Sequence, residues 1–208
     1  MMGTIQKIGE GIVVGVDIDG VIANLHTEWY RRYNAEFDDN LTVERVKSWD
    51  THLYTKPECG KCIYKYLYDS DLYNNVAPLN YAIEGIAALR EDGFRPVYVS
   101  SVVRGQTDAK FDWLVRYGFL PHTPGVVLVG GHPDFITAGD KSLIDVDLMI
   151  DDAPQNLVSF GKRAILFNYM HNHRTRRNEG LWTRVDDWRE VPAIARFLTE
   201  RHVVRRYV

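Results

Sequence analysis

Strong charge of one sign is missing from these 208 residues. The formal net charge is −3, so no global field draws in nucleic acid or an anionic membrane, and no stable nucleic-acid complex is expected. No apolar run approaches the roughly 20 residues needed to span a bilayer. Residues Met1 to Glu10 lack the apolar core of a signal peptide. A soluble, cytoplasmic protein with no membrane partner is the expectation. Cysteine is scarce: two in all, spaced Cys59-Gly60-Lys61-Cys62. Such a pair can serve redox chemistry or supply half of a zinc site. A structural zinc takes four ligands, however, and there is no second cysteine pair; His52 is the only histidine nearby. A plain surface turn is the expected reading. Internal repeats and low-complexity segments are absent too. What remains is an ordinary globular composition, 45% hydrophobic, in a chain long enough for one substantial α/β domain with or without a small insert.

The most informative stretch runs Gly11-Ile12-Val13-Val14-Gly15-Val16-Asp17-Ile18-Asp19-Gly20-Val21. A β-branched apolar run ends abruptly in two carboxylates spaced i, i+2, which an extended chain turns to the same side. Gly20 allows a sharp turn and a close backbone approach to a ligand. Two carboxylates this close repel unless a cation or a shared proton intervenes. That leaves a hard, oxygen-loving cation such as Mg²⁺, an acid/base pair with split pKa values, or an Asp-rich turn after a core strand.

Strands alternate with helices along the rest of the chain. Strands are expected over 12–17, 96–99, 126–129, 147–150 and 163–167. Helices are expected over 24–37, 81–91 and 108–117, with a last one around 192–202. Leu25, Trp29, Tyr33 and Phe37 mark one face of the first helix. This rhythm predicts an α/β fold: a doubly wound parallel sheet with helices on both faces. Residues 38–78 break it, being polar, rich in tyrosine and without a strong strand. They read as an inserted helical segment. The stretch 26–81 holds eleven of the chain's 25 aromatics, which can pack the insert or wall a flat ligand.

In open parallel sheets ligands bind beyond the carboxyl ends of the strands. There the first strand offers Asp17 and Asp19, the second Ser100 and Ser101, and the fourth Asp151 and Asp152. Lys141 lies in the preceding connection. Four carboxylates call for a hard metal; hydroxyls and an ammonium suit a phosphate. With these residues in this order, the chain resembles the haloacid dehalogenase superfamily of phosphatases. Within it, the chain is most similar to the 5′(3′)-deoxyribonucleotidases of the cytosolic and mitochondrial type. That similarity rests on Asp17 to Ala23, Ala77-Pro78-Leu79, Asp147 to Asp152, Phe167 to Asn172, Trp182 and Asp186-Asp187-Trp188. Ser100-Ser101-Val102 stands where those enzymes often have Thr-Ser-Pro, and residues 26–78 align poorly.

The resemblance implies a Rossmann-like core from residues 1–25 and 79–208, with a small helical cap over 26–78. It implies a Mg²⁺-dependent phosphomonoesterase acting on (deoxy)nucleoside monophosphates, and a homodimer. Asp17 would form an aspartyl-phosphate, and Asp19 would act as general acid and base. Ser100, Ser101 and Lys141 would hold the phosphoryl group. The metal would lie on the Asp17 carboxylate, the Asp19 carbonyl and the acidic pair, Asp152 directly and Asp151 from behind. For the base, the pool is Trp29, Trp49, Tyr54, Tyr66 and Tyr73, with Trp49 the first choice. The basic stretch 171–177 reads as a solvated loop or as an attractor for a phosphate dianion. The competing readings are a phosphatase for another small phosphomonoester, such as a sugar phosphate, a polynucleotide end phosphatase, or a binding module that has lost catalysis.

Overall fold

The computed structural model describes residues 9, 11–121, 132–160, 163–173, 175 and 181–203. Among these residues six strands form one sheet: β1 (Val13–Val16), β2 (Arg95–Ser100), β3 (Phe135–Thr137), β4 (Leu148–Asp151), β5 (Arg163–Phe167) and β6 (Thr183–Val185). Their order is β3-β2-β1-β4-β5-β6, and every adjacent pair is parallel. Chain order reverses at β1, so β1 is the switch point at which such sheets open a crevice.

Both faces of the sheet are covered. Val14, Val16, Tyr98, Leu148, Ile150 and Ile165 belong to one apolar cluster. Val97, Val99, Met149, Ala164 and Leu166 belong to another. This is the two-residue alternation of strands sandwiched between layers. The first cluster takes in α2 (Ala82–Glu91), α3 (Thr107–Arg116) and α5 (Val191–Val203); the second takes in Leu157 of α4 (Pro154–Phe160).

The strand expected over 126–129 lies outside the described residues. The edge strand seen beside β2 is Phe135–Thr137. It and Thr183–Val185 are three residues each, too short for a periodic signal.

Between β1 and α2 the regular elements are all helical: α1 (Leu25–Phe37), then 3₁₀ turns at Val43–Arg45, Thr51–Tyr54, Gly60–Tyr68 and Leu72–Asn74, joined by irregular chain. This segment has its own apolar cluster, with Trp29, Tyr30, Tyr33, Leu41, Val46, Ile63 and Tyr66 buried. Its ends lie side by side. The Asn24 N–H donates to the Ala77 carbonyl at 2.9 Å, and the Leu79 N–H to the Ile22 carbonyl at 2.7 Å. Cys59 does not sit in a surface turn. It is buried in this cluster, because the 3₁₀ turn that follows it rolls the first thiol inward. Its Sγ is 2.6 Å from Sγ of Cys62, and both are free thiols.

Candidate active site

The β1 backbone stays in register through Asp17, whose N–H donates to Ile150 at 2.9 Å. The chain then turns within one loop, in which the N–H groups of Ile22 and Ala23 converge on the Ile18 carbonyl at 3.0 and 2.8 Å. The Trp188 indole N–H donates to the Val21 carbonyl at 2.6 Å and pins that loop from the far end of the sheet. Gly20 is required here. Its φ is +76°, and a Cβ would lie 2.2 Å from Oδ2 of Asp152.

Asp17, Asp151 and Asp152 form the one group of possible metal ligands found among the described residues. One ligand atom from each lies within 4.8 Å of the others, and all three residues are buried. Burial pushes the Asp17 carboxyl up to about 7, against the attraction of Lys141 and with the repulsion of Asp151 and Asp19. Asp151 is raised, by burial first, with Lys141 opposing. Burial and then the charge of Asp17 hold Asp152 well above the carboxylate range.

Lys141 is the cation within this group. Its ammonium donates to Asp17 at 2.6 Å and to Asp151 at 2.7 Å. Burial alone would lower its pKa, but the two carboxylates outweigh burial and raise it. A short 3₁₀ turn (Lys141–Leu143) presents it, capped by Asp140, whose side chain accepts from the Ser142 N–H at 2.9 Å. Asp151 has little left to offer a metal: Oδ1 accepts from the Ala153 N–H at 2.8 Å, and Asn156 donates to both oxygens. The loop carrying Asp152 is held by Asn172, whose amide donates to the Asp152 and Phe167 carbonyls at 2.7 and 2.8 Å.

The Asp19 carboxylate stands apart from this cluster. It accepts from the Tyr73 hydroxyl and, at 2.6 Å, from Lys110. Lys110 is buried, and its ammonium also donates to the Ser100 hydroxyl at 2.6 Å and the Ser101 carbonyl at 3.0 Å. Burial, then Asp19, holds the Tyr73 hydroxyl far above the ordinary phenol value.

Sequence reasoning brought Asp17, Lys141, Asp151 and Asp152 to one point, and the structure places them there. Ser100 is joined to Asp19 through Lys110. Ser101 is exposed and turns its hydroxyl to the Ala138 carbonyl at 3.0 Å. Trp49 lies at the rim, 46% exposed, its ring 3.6 Å from that of His171; His171 Nε2 is in turn 3.1 Å from Asp152. Trp29 and Tyr66 are buried packing residues whose polar atoms bond Ile63 and Glu36. Lys110 was missed. It lies inside a predicted helix as an ordinary lysine, and its only signal is its position three residues ahead of Trp113, in the first turn of the helix that follows the strand-end serines.

A family model described as "5' nucleotidase, deoxy (Pyrimidine), cytosolic type C protein" matches residues 11–201. The chain belongs to that nucleotidase family. A relative named 5'(3')-deoxyribonucleotidase in Clostridium acetobutylicum is 30% identical over 188 residues, covering 90% of this chain and 96% of the relative. A protein of the same name in Bacillus subtilis is 33% identical over 185 residues, covering 86% and 95%. Among solved structures, a haloacid dehalogenase-like family hydrolase from Xanthomonas campestris superposes with a TM-score of 0.57 at 16% identity, covering 93% of this chain and 98% of that one. The nucleotidase therefore has the haloacid dehalogenase-like fold, as its sheet order and motif order led one to expect. Among the described residues no helix is long and apolar enough to cross a membrane.

Proposed function

We propose that this nucleotidase removes the phosphate of (deoxy)nucleoside monophosphates, with Asp17 as the nucleophile and Asp19 as the proton carrier. The observation that carries the assignment is the unequal setting of the two aspartates. Asp17 is buried against Lys141 and the acidic pair. Asp19 is reached from the opposite side by Lys110 and Tyr73.

Lys141 holds the Asp17 carboxylate in one rotamer and offsets the charge that builds as it meets a phosphoryl group. An Asp17 oxygen attacks phosphorus, the ester oxygen leaves, and Asp19 donates the proton that the leaving alkoxide needs. Asp19 then takes a proton from the water that hydrolyses the aspartyl-phosphate. Lys110 keeps Asp19 and the Ser100 hydroxyl at a fixed separation, so that the proton carrier stays aligned with the strand-end donors.

The donor set fits Mg²⁺. It consists of carboxylate oxygens only, it is buried, and its negative charge exceeds what Lys141 balances. Asp17 and Asp152 would hold the ion, with Asp151, already engaged by Lys141 and Asn156, behind them. When bound, the ion neutralises the nucleophile and the phosphoryl oxygens toward each other. Residues 26–78 act as the cap that covers the leaving group, and Trp49 at its rim offers a ring to a base.

The test is phosphate release from a panel of deoxynucleotides, ribonucleotides and sugar phosphates, with Mg²⁺ and with chelator. Activity confined to nucleotides and lost in chelator supports the assignment; activity on sugar phosphates alone replaces the substrate class.

A further inference from the structure

We infer that Gln106 reads the leaving group, its amide oxygen accepting a hydrogen bond from the free sugar hydroxyl of the nucleotide. The inference rests on the nucleotidase reading above.

A cavity of about 120 Å³ opens beside Asp19 and Lys110. Its walls include Leu25 of α1, Leu67 and Leu72 of the insert, and Val103 of the loop after β2. Gln106 lines the same cavity from the start of α3, one turn ahead of Lys110, so the two side chains share a helix face. Gln106 is 2% exposed. Its amide nitrogen donates to the Asp69 carbonyl at 2.6 Å. That carbonyl can only accept, which fixes which end of the amide faces it. The other end, Oε1, is buried with no hydrogen-bond partner among the described residues.

A buried acceptor with no donor carries its full desolvation cost, and such a group in a native structure calls for a reason. Gln106 lines the same cavity as the carboxylate assigned to protonate the ester oxygen. Whatever is attached to that oxygen extends into this space. The Leu and Val walls suit the carbon frame of a sugar; the other polar side chains of the lining, Asp19, Tyr73, Lys110 and Ser101, already bond one another or the backbone, so Oε1 is the acceptor left for a donor on that frame. In a nucleoside 5′-monophosphate the hydroxyl on the third carbon from the ester oxygen is the 3′-hydroxyl. In a 3′-monophosphate the third carbon carries the 5′-hydroxyl. One fixed acceptor therefore serves both regioisomers.

The experiment compares kcat/KM for a 2′-deoxynucleoside 5′-monophosphate and for the 2′,3′-dideoxy analogue of the same base, in the wild type and in Gln106→Met. The wild type is expected to prefer the deoxy substrate about 10- to 100-fold. In Gln106→Met the deoxy substrate falls by a similar factor, the dideoxy substrate barely changes, and the preference collapses. A role limited to anchoring Asp69 slows both substrates equally, which overturns the inference. So does a wild type that treats the two alike, and that comparison needs no variant to fold. Nucleotide turnover without discrimination removes Gln106 alone and leaves the nucleotidase reading standing. A wild type that releases phosphate only from other phosphomonoesters removes both.

Discussion

Two aspartates stand two residues apart, yet they are held by two lysines from different parts of the fold. Asp17 meets Lys141, which the connection ahead of β4 delivers and which Asp151 at the end of β4 also holds. Asp19 meets Lys110 from α3 and Tyr73 from the insert. The first pairing is built wholly from the sheet edge. The second adds a residue of the insert, Tyr73, where the insert returns to the core: α3 holds that return, with the Trp113 indole donating to the Val76 carbonyl at 2.8 Å and Arg116 to the Asn74 carbonyl at 3.2 Å. Asp17, the proposed nucleophile, thus takes its direct partner from the core alone, whereas Asp19, the proposed proton carrier, also takes a donor from the insert. On the proposed assignment, the core carries the phosphoryl chemistry and the insert bears on the leaving group.

That contrast breaks at Asp17. Asp17→Asn is expected to lose turnover on the order of 10⁴-fold or more, with the circular dichroism of the native fold retained; residual turnover near wild type would reassign the nucleophile. Lys141→Met strips two buried carboxylates of their cation, a change that costs about 3–5 kcal/mol. Its melting temperature should fall by roughly 10 °C in chelator, and added Mg²⁺ should recover part of the loss if the acidic group binds the ion. Lys110→Met removes a cation at the other aspartate. A drop of about 100-fold in kcat is expected, with a displaced pH–rate profile and a melting temperature that moves far less than in Lys141→Met. Tyr73→Phe takes one donor from Asp19 and tests the insert's share directly; kcat should fall about tenfold while KM holds.

The smallest effect concerns the seam between insert and core. His26 packs its ring against Trp29, Tyr30, Tyr169 and His171, and burial pushes its pKa down to about 4. The unfolded chain binds this proton near pH 6.5 and the native chain does not. The stability that His26 contributes is therefore complete above pH 6.5 and is lost as pH falls toward 4. His26→Asn should make the acid decline of the melting temperature shallower; an unchanged slope would show that other groups dominate it.

How far the chain could be read depended on whether a signal was local. Val13–Val16 and Arg163–Phe167 are buried on both faces and spell themselves as apolar runs. Phe135–Thr137 and Thr183–Val185 earn strand geometry by pairing with a neighbour already in place, and nothing within three residues announces that. Cys59 looked like part of a polar turn because its burial is against Trp29, Tyr33 and Ile63, which are distant in sequence or one turn away.

The motif Asp17 to Val21, the order of the strand-end residues and the position of Lys141 were determined by sequence alone. Each is a short-range pattern tied to the end of a strand, and parallel strands bring their ends to one edge. Only the tertiary structure decided that Lys110 and Tyr73 bond the second aspartate and that Gln106 lines the cavity beside it. A helix face and a returning insert meet there through packing, and no spacing along the chain encodes which lysine or which amide will be the one turned inward.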